Sequence, residues 1–202
     1  GSPFDPRAPK SENLPGLFRL LANGGRDPSF DVGTGLANGG TIIALAHQSD
    51  GKILVGGSFL NWNGTDVNGL IRLMPDGAVD STFLGLLNEP ATTVRFVQVL
   101  ADDRIIINGH RMLLANGLPD GSFAEFPSTT SIAPVAGGGF LAGSSISSTP
   151  GSSRLDASGR VHEFVPHPSF DSGVVTSVGL TPLPDGRVFA NYSTDHLPGA
   201  LG

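Results

Sequence analysis

The chain has 202 residues, a formal net charge of −6 and no cysteine, so disulfides, thiolate metal sites and a cysteine nucleophile are excluded. A chain of this length buries roughly 70% of the surface that its unfolded form exposes, and one compact domain therefore needs no covalent staples. Lysine occurs only at Lys10 and Lys52, which argues against a surface for the phosphate backbone and hence against nucleic acid as a partner. No apolar run approaches the roughly 18 residues of a membrane span.

The composition favours short strands and tight turns. The chain contains 29 glycines and 16 prolines, and no long stretch has apolar residues at helical spacing. Such a chain is typical of an all-β fold. Gly1 and Ser2 resemble the remnant of an expression tag, and we assign residues 1–13 to an N-terminal extension and residues 14–202 to a single domain.

Two modules recur along the chain. The first ends on phenylalanine each time and occurs as FRLLANGGRDPSF (18–30), IRLMPDGAVDSTF (71–83), RMLLANGLPDGSF (111–123) and SRLDASGRVHEF (153–164). The second occurs as SDGKILVGG (49–57), ADDRIIING (101–109), AGGGFLAGS (136–144) and PDGRVFANY (184–192). Asp-Gly and Asn-Gly pairs between apolar runs are hairpin turn signals. Each unit is therefore predicted to hold four short antiparallel strands, with its last phenylalanine packed between neighbouring sheets.

The sequence DGKILVGGSF, a loop with Asn-Gly, and IRLMPDGAVDSTF together resemble the delta-60 repeat, a β-propeller unit of exported bacterial proteins. The resemblance is strongest over residues 41–83, and the repeat spacing of about 40 to 53 residues fits a propeller blade. It implies a β-propeller of four-stranded antiparallel blades. It also implies an extracellular or cell-surface location, although the sequence shows no export signal.

The two ends of the chain indicate how the propeller closes. Whole blades are predicted at about 41–83, 92–123 and 131–164, while residues 173–202 supply the first two strands of a unit and residues 14–30 the last two. Pairing these half-blades gives a closed ring of four blades and removes the exposed sheet edges. A fragment of a larger ring stays open as an alternative. A monomer is expected, with a ring-completing dimer as the other possibility.

The long loop at residues 58–68 is the candidate binding site. Trp62 lies between Asn61 and Asn63, with Asp66 nearby. An aromatic ring edged by polar groups suits a glycan or a surface protein. The alternative is that Trp62 folds back over its own blade and anchors the loop.

Metal and cofactor sites are not predicted. His162 and His167, with Glu163 and Asp171, lack recognisable ligand spacing and are expected in a solvated connection. Asp102 and Asp103 could bind calcium, but they occupy a turn position, where turn chemistry explains at least one of them.

The sequence favours binding over catalysis. Asp27, Asp80 and Asp120 precede the closing phenylalanine in three units, and a residue repeated around a ring is expected to hold a turn or a backbone amide. Neither H-E-x-x-H nor G-x-S-x-G occurs. We therefore expect a non-catalytic extracellular binding or scaffold module for adhesion, glycan or protein recognition. The alternative is a hydrolase or lyase that uses the central cavity of the propeller.

Overall fold

The computed structural model describes residues 16–36, 40–86, 92–124, 129–144, 151–166, 174–183, 185 and 187–195. These residues contain no helix, and hence none with the length and apolar character of a membrane span. The all-β prediction is confirmed. In chain order the strands are β1 (Ile42–His47), β2 (Ile53–Gly57), β3 (Asn61–Trp62), β4 (Thr65–Asp66), β5 (Leu70–Leu73), β6 (Val97–Val99), β7 (Ile105–Ile107), β8 (Arg111–Leu113), β9 (Thr129–Pro134), β10 (Phe140–Ser144), β11 (Gly151–Leu155), β12 (Val161–Pro166), β13 (Val174–Pro182) and β14 (Val188–Asp195).

The chain forms two compact units, residues 1–95 and 96–202. In the first unit, β1, β2 and β5 form an antiparallel sheet in that order, and the β3–β4 hairpin lies in the connection between β2 and β5. Beyond β5, a fourth strand is reduced to one bridge between Leu73 and Val79. A similar single bridge joins Leu20 to Arg26.

The core of the first unit joins two successive repeats. β2 and β5 are buried along their whole length, as expected for the inner strands of a blade. Val55 and Ile71 from these strands share a cluster with Phe30, which ends the preceding module, and with Val32, which directly follows that module. Burying each such side chain contributes about 1.5 to 3 kcal/mol, so the N-terminal module is part of this core.

The second unit contains three antiparallel sheets. β6, β7 and β8 form one, with a bridge from Leu113 to Pro119 where a fourth strand would continue. β9 to β12 form a complete four-stranded sheet in the order β12-β11-β10-β9, and β13 pairs with β14. The Phe123 ring meets the Phe140 ring edge-on at 5.7 Å between centroids, so the closing phenylalanine of one repeat packs on a strand of the next.

The tight turns follow the predicted chemistry. Gly51 (φ 82°) and Gly77 (φ 97°) lie in the left-handed region that glycine favours. Asp103 takes the position of Gly51 in its own repeat and adopts φ 62°, a conformation that Asp tolerates better than most residues. Turn chemistry therefore explains Asp103.

The same backbone joint connects successive repeats in both units. The Asp31 amide donates to the Asp76 carbonyl at 2.8 Å, and the Ala124 amide donates to the Ser158 carbonyl at 2.8 Å. In each case the donor follows a closing phenylalanine and the acceptor lies in the turn of the next repeat. The two backbone segments approach so closely that a Cβ on Gly77 would lie 2.6 Å from the Asp31 carbonyl oxygen. Glycine is therefore required at this joint.

Ring closure stays a prediction. The described residues show no closed ring, since β13 and β14 form a two-stranded sheet and residues 16–36 form no named strand. The four-blade count therefore rests on the sequence repeat.

The closing phenylalanines divide into two groups. Phe30, Phe83 and Phe123 are buried, whereas Phe164 is 44% exposed. The prediction that this residue packs inward in every unit is therefore wrong for Phe164. Each of the other three lies three residues after an aspartate at which the outer strand ends, while Phe164 lies on the uninterrupted strand β12.

Candidate functional site

The 58–68 loop is built as a two-residue hairpin. β3 and β4 pair Asn61 with Asp66 and Trp62 with Thr65. The Asn61 side-chain oxygen accepts from the Gly64 amide at 2.9 Å, which closes the turn on the loop itself. Asn61 and Asp66 therefore lie opposite each other, as two of the four predicted site residues, and Asp66 is exposed.

Trp62 anchors this loop to the core. Only 1% of the side chain is exposed, and its ring lies 5.8 Å from the Phe59 ring, centroid to centroid. The backbone bridge between Leu36 and Trp62 fixes the strand that carries it. The indole Nε1 has no hydrogen-bond partner among the described residues. The buried ring has no exposed face on which a sugar could stack, and the geometry matches the anchoring alternative.

Asn63 ties the tip of the loop to the preceding connection. Its side-chain oxygen accepts from the Gly35 amide at 2.7 Å and from the Thr34 hydroxyl at 3.0 Å. Its amide nitrogen donates to the Val32 carbonyl at 2.8 Å. The residue adopts φ 51°, which Asn accommodates more easily than most residues. Asn63 therefore holds the loop in place, and its amide is used within the scaffold.

A second asparagine, Asn68, holds the other side of the loop. Its side chain is buried, donates to the Leu86 carbonyl at 3.0 Å and accepts from the Thr92 amide at 3.2 Å. Sequence reasoning missed Asn68, because its partners lie 18 and 24 residues away. The one sequence signal for a buried role was that Asn68 is a polar residue just before the apolar strand β5.

A cavity of about 360 Å³ lies beside Asp66. Three segments line it: the second half of the loop (65–67), strand β5 (70–72) and the outer segment with the following connection (79–81 and 83–85). The 58–68 loop and the connection to the next repeat thus meet at one partly open cavity. A volume of a few hundred Å³ is in the range of small-molecule sites.

The three repeated aspartates form the same turn. In each, one carboxylate oxygen accepts from the amide and the hydroxyl of the residue two positions later. In the 41–83 repeat the other oxygen of Asp80 accepts from Arg72 Nε at 2.9 Å, and both side chains are buried. The Arg72 guanidinium also lies 4.7 Å from the centre of the Phe83 ring. The predicted structural role of these aspartates matches this geometry, and we call the motif the aspartate turn.

Hydrogen bonding keeps these carboxylates ionised. The hydroxyl and amide of Ser29, together with Arg19, lower the pKa of Asp27 to about 2. Burial alone would raise the pKa of Asp80, but the hydrogen bonds from its own turn and the Arg72 guanidinium lower it overall. A carboxylate stabilised in this way is a poor general acid at neutral pH.

The residues that the sequence offers for metal binding do not form a metal site among the described residues. Asp102 accepts from Arg104 Nε at 2.8 Å. His162 and Glu163 are exposed on strand β12, so the prediction that they lie in a connection is wrong. His167 and Asp171 lie outside the described residues. Among the residues that the structure describes, no three His, Cys, Asp or Glu side chains are arranged to hold a metal ion.

Comparison with known proteins identifies a propeller-type repeat. A family model described as "Domain of unknown function (DUF5122) beta-propeller" matches residues 48–83, the segment from the turn before β2 to the closing Phe83. No curated protein matches the chain in sequence.

Among solved structures, the chain is similar to the extracellular domain of a proposed one-component system from B. thetaiotaomicron, with 17% identity and a TM-score of 0.47. The similarity covers 75% of this chain and 20% of that chain, so this chain spans about a fifth of its length. The family match over residues 48–83 by itself supports a β-propeller repeat in the segment that carries the candidate loop.

Proposed function

We propose that the protein is a non-catalytic extracellular binding or scaffold module on a β-propeller, and that it recognises a glycan or a surface protein. The observation that carries this proposal is the fixation of the 58–68 loop by Trp62, Asn63 and Asn68. A loop held in one conformation loses little conformational entropy when a ligand binds. Rigid support of a variable loop is what a recognition surface requires.

The electrostatics support binding over the hydrolase or lyase alternative. Within the described residues, every carboxyl group whose pKa is clearly shifted is shifted downward. Catalytic acids at neutral pH need a raised pKa. The shifted carboxylates instead accept hydrogen bonds from their own turns, which is a structural use.

The predicted ligand-binding residues divide into supports and contacts. We assign Trp62 and Asn63 as supports because their side chains are used within the protein. We assign Asp66 as the principal ligand contact; Asn61 lies opposite it on the hairpin, and its side-chain oxygen closes the turn. The cavity beside Asp66 gives this contact a bounded space.

Glycan arrays and candidate surface proteins would test this proposal, with Trp62 fluorescence as the reporter of the loop. We expect emission typical of a buried indole and a ligand whose binding is lost in Asp66→Ala with an unchanged melting temperature. Asn63→Ala should weaken binding only together with loop stability. Multiple-turnover cleavage of a polysaccharide, or a ligand unaffected by Asp66→Ala and Asn61→Ala, would contradict the proposal.

We also propose a four-bladed ring in a single domain, 14–202, closed by the half-blades at 14–30 and 173–202. If the half-blades pair in the register of β2 and β5, Ala190 lies opposite Phe18. The chain has no cysteine, so Ala190→Cys with Phe18→Cys supplies the only two thiols.

Closure within one chain predicts that this double variant oxidises to a disulfide-bonded monomer, since paired strands bring Cα atoms to the spacing that a disulfide needs. Ala190→Cys combined with Leu21→Cys is the control in a shifted register. A disulfide-linked dimer would instead indicate a ring completed by two chains, and a pair that stays reduced would rule out this register.

A further inference from the structure

We propose that the cavity beside Asp66 binds a small organic ammonium compound, with an apolar body inside the cavity and its positive group at the Asp66 carboxylate. This inference goes beyond the proposed recognition of a glycan or surface protein and adds a small-molecule ligand at the cavity beside the same loop. It concerns the space between the loop, strand β5 and the segment 79–85.

The walls of the cavity are predominantly apolar. Val67, Leu70 and Phe83 line it from three different segments. Val79 and Leu84 also line it, and they remain 42% and 47% exposed. Two exposed aliphatic side chains that line one cavity offer a surface that an apolar ligand group would remove from water.

The charges around the cavity leave one negative group. Arg72 and Asp80 line it, but they pair with each other at 2.9 Å, with only 7% and 5% of their side chains exposed. Lys52 Nζ lies 3.9 Å from the Asp80 carboxylate and pairs with Asp50 at 2.6 Å. These positive and negative charges therefore cancel, whereas the exposed Asp66 adds one negative charge. An anionic ligand would be repelled there, and a cation is attracted.

The volume limits the size of the ligand. A cavity of ~150 Å³ holds one benzene ring, so about 360 Å³ accommodates a phenyl ring with a short alkyl chain. A single positive group at the end of this chain then reaches the exposed carboxylate while the ring stays against the apolar walls.

Three matched probes test the charge preference: 4-phenylbutylammonium, 4-phenylbutan-1-ol and 5-phenylpentanoate. Each is titrated into the full chain, and binding is located by amide chemical shifts in two-dimensional NMR. We expect the shifts to centre on residues 65–67 and 83–85. The ammonium compound should bind about fivefold more tightly than the alcohol, which follows from opposite charges about 4 Å apart in water. The carboxylate should bind most weakly.

Two isosteric variants isolate Asp66. Asp66→Asn should abolish the preference for the ammonium compound and leave the affinity of the alcohol unchanged. Asp76→Asn is the matched control, because it removes an exposed negative charge outside the cavity and keeps an oxygen that can accept from the Ala78 amide. It should retain the fivefold preference. Leu84→Ser should weaken all three probes.

Each outcome decides between the possibilities. Equal affinities of the three probes at residues 65–67 and 83–85 would overturn the charge assignment. Shifts located elsewhere, or no binding at all, would overturn the cavity assignment. A glycan or protein ligand that still binds through Asp66 in that last case would leave the proposed function standing, so the two failures are distinguishable.

Discussion

The repeats at 41–83 and 131–164 end in different ways. In the first, the outer strand is reduced to the bridge between Leu73 and Val79, and the chain then turns. In the second, the outer strand β12 runs for six residues, Val161–Pro166, and pairs with β11 along its length. The inner strands of both repeats have the same antiparallel order, so the difference is confined to the outermost strand.

Asp80 lies where the outer strand of the first repeat ends. The Asp80 amide donates the last hydrogen bond of the ladder, to the Arg72 carbonyl. The Asp80 carboxylate then accepts a hydrogen bond from the Thr82 amide. The Phe83 amide closes the turn on the Asp80 carbonyl. Val161 pairs with Leu155 as Val79 pairs with Leu73, so His162 takes the ladder position of Asp80. Neither His162 nor Val161, which lies three residues before Phe164, offers a carboxylate. In the repeats that have this aspartate, the outer strand is reduced to one bridge and the next phenylalanine is buried.

Truncating the two closing phenylalanines should give the largest contrast. Phe83→Ala removes a buried ring that also stacks on Arg72, and the free energy of unfolding should fall by about 3 to 5 kcal/mol. Phe164→Ala removes an exposed ring and should cost less than about 1 kcal/mol. Urea unfolding measures both. Equal costs would show that strand ending does not control burial of this residue.

The glycine joint should be the next most sensitive feature. Gly77→Ala introduces strain at a positive φ and a methyl group against the Asp31 backbone, at a cost of about 2 to 4 kcal/mol. Gly51→Ala shares the positive φ, but its Cβ would meet nothing closer than 3.5 Å. The control should cost about 1 to 2 kcal/mol, and thermal unfolding of the two variants would measure the difference. If Gly51→Ala were as damaging, close approach would not be the reason for glycine at the joint.

Acid should weaken the aspartate turns and leave the end of β12 unaffected. The pKa of Asp27 is lowered from 3.8 to about 2, so its contribution to stability is complete above pH 3.8 and is lost as pH falls toward 2. The Ser29 amide, which donates to this carboxylate, should titrate in NMR with a midpoint near pH 2. In Asp27→Asn this titration should disappear. A midpoint near 3.8 would contradict the hydrogen-bond assignment.

The smallest change in stability, within about 1 kcal/mol, is expected from building an aspartate turn into β12. Val161→Asp with Glu163→Ser places the aspartate and hydroxyl at the spacing found in the other repeats. Because Val161 is 64% exposed, no buried side chain is lost. We expect β12 to end early and Phe164 to become protected. Amide exchange across 162–166 would measure this, with Glu163→Ser alone as the control, and unchanged strand protection would count against the role of the aspartate.

The elements that sequence reasoning predicts well depend on local chemistry. The turns at Gly51 and Gly77 follow from the positive φ that Asp-Gly pairs supply, and the buried strands β2 and β5 follow from their apolar runs. The exposure of Phe164 could also have been predicted, because this copy is one residue shorter than the others and has no aspartate before its phenylalanine. The prediction failed because the phenylalanine was assigned one role in every repeat.

The candidate site depends on contacts between distant segments. Trp62 could be read either as a platform or as an anchor, and its burial is settled by packing with residues such as Val32, which lies 30 positions earlier. Asn68 works through Leu86 and Thr92. No spacing rule connects these residues, so the loop was identified from sequence while its internal support was not.

The joint at Asp31 and Asp76 has a consequence for how such a chain changes over generations. The bond joins a backbone amide to a backbone carbonyl. The equivalent backbone bond from Ala124 to Ser158 joins residues of different types. Apart from the glycine, the connection between repeats therefore places little demand on residue identity. Duplicated copies can diverge in sequence and acquire different loops while each still docks onto the next, which explains how one scaffold can carry the long 58–68 loop in one copy and a short turn at Asn108 in another.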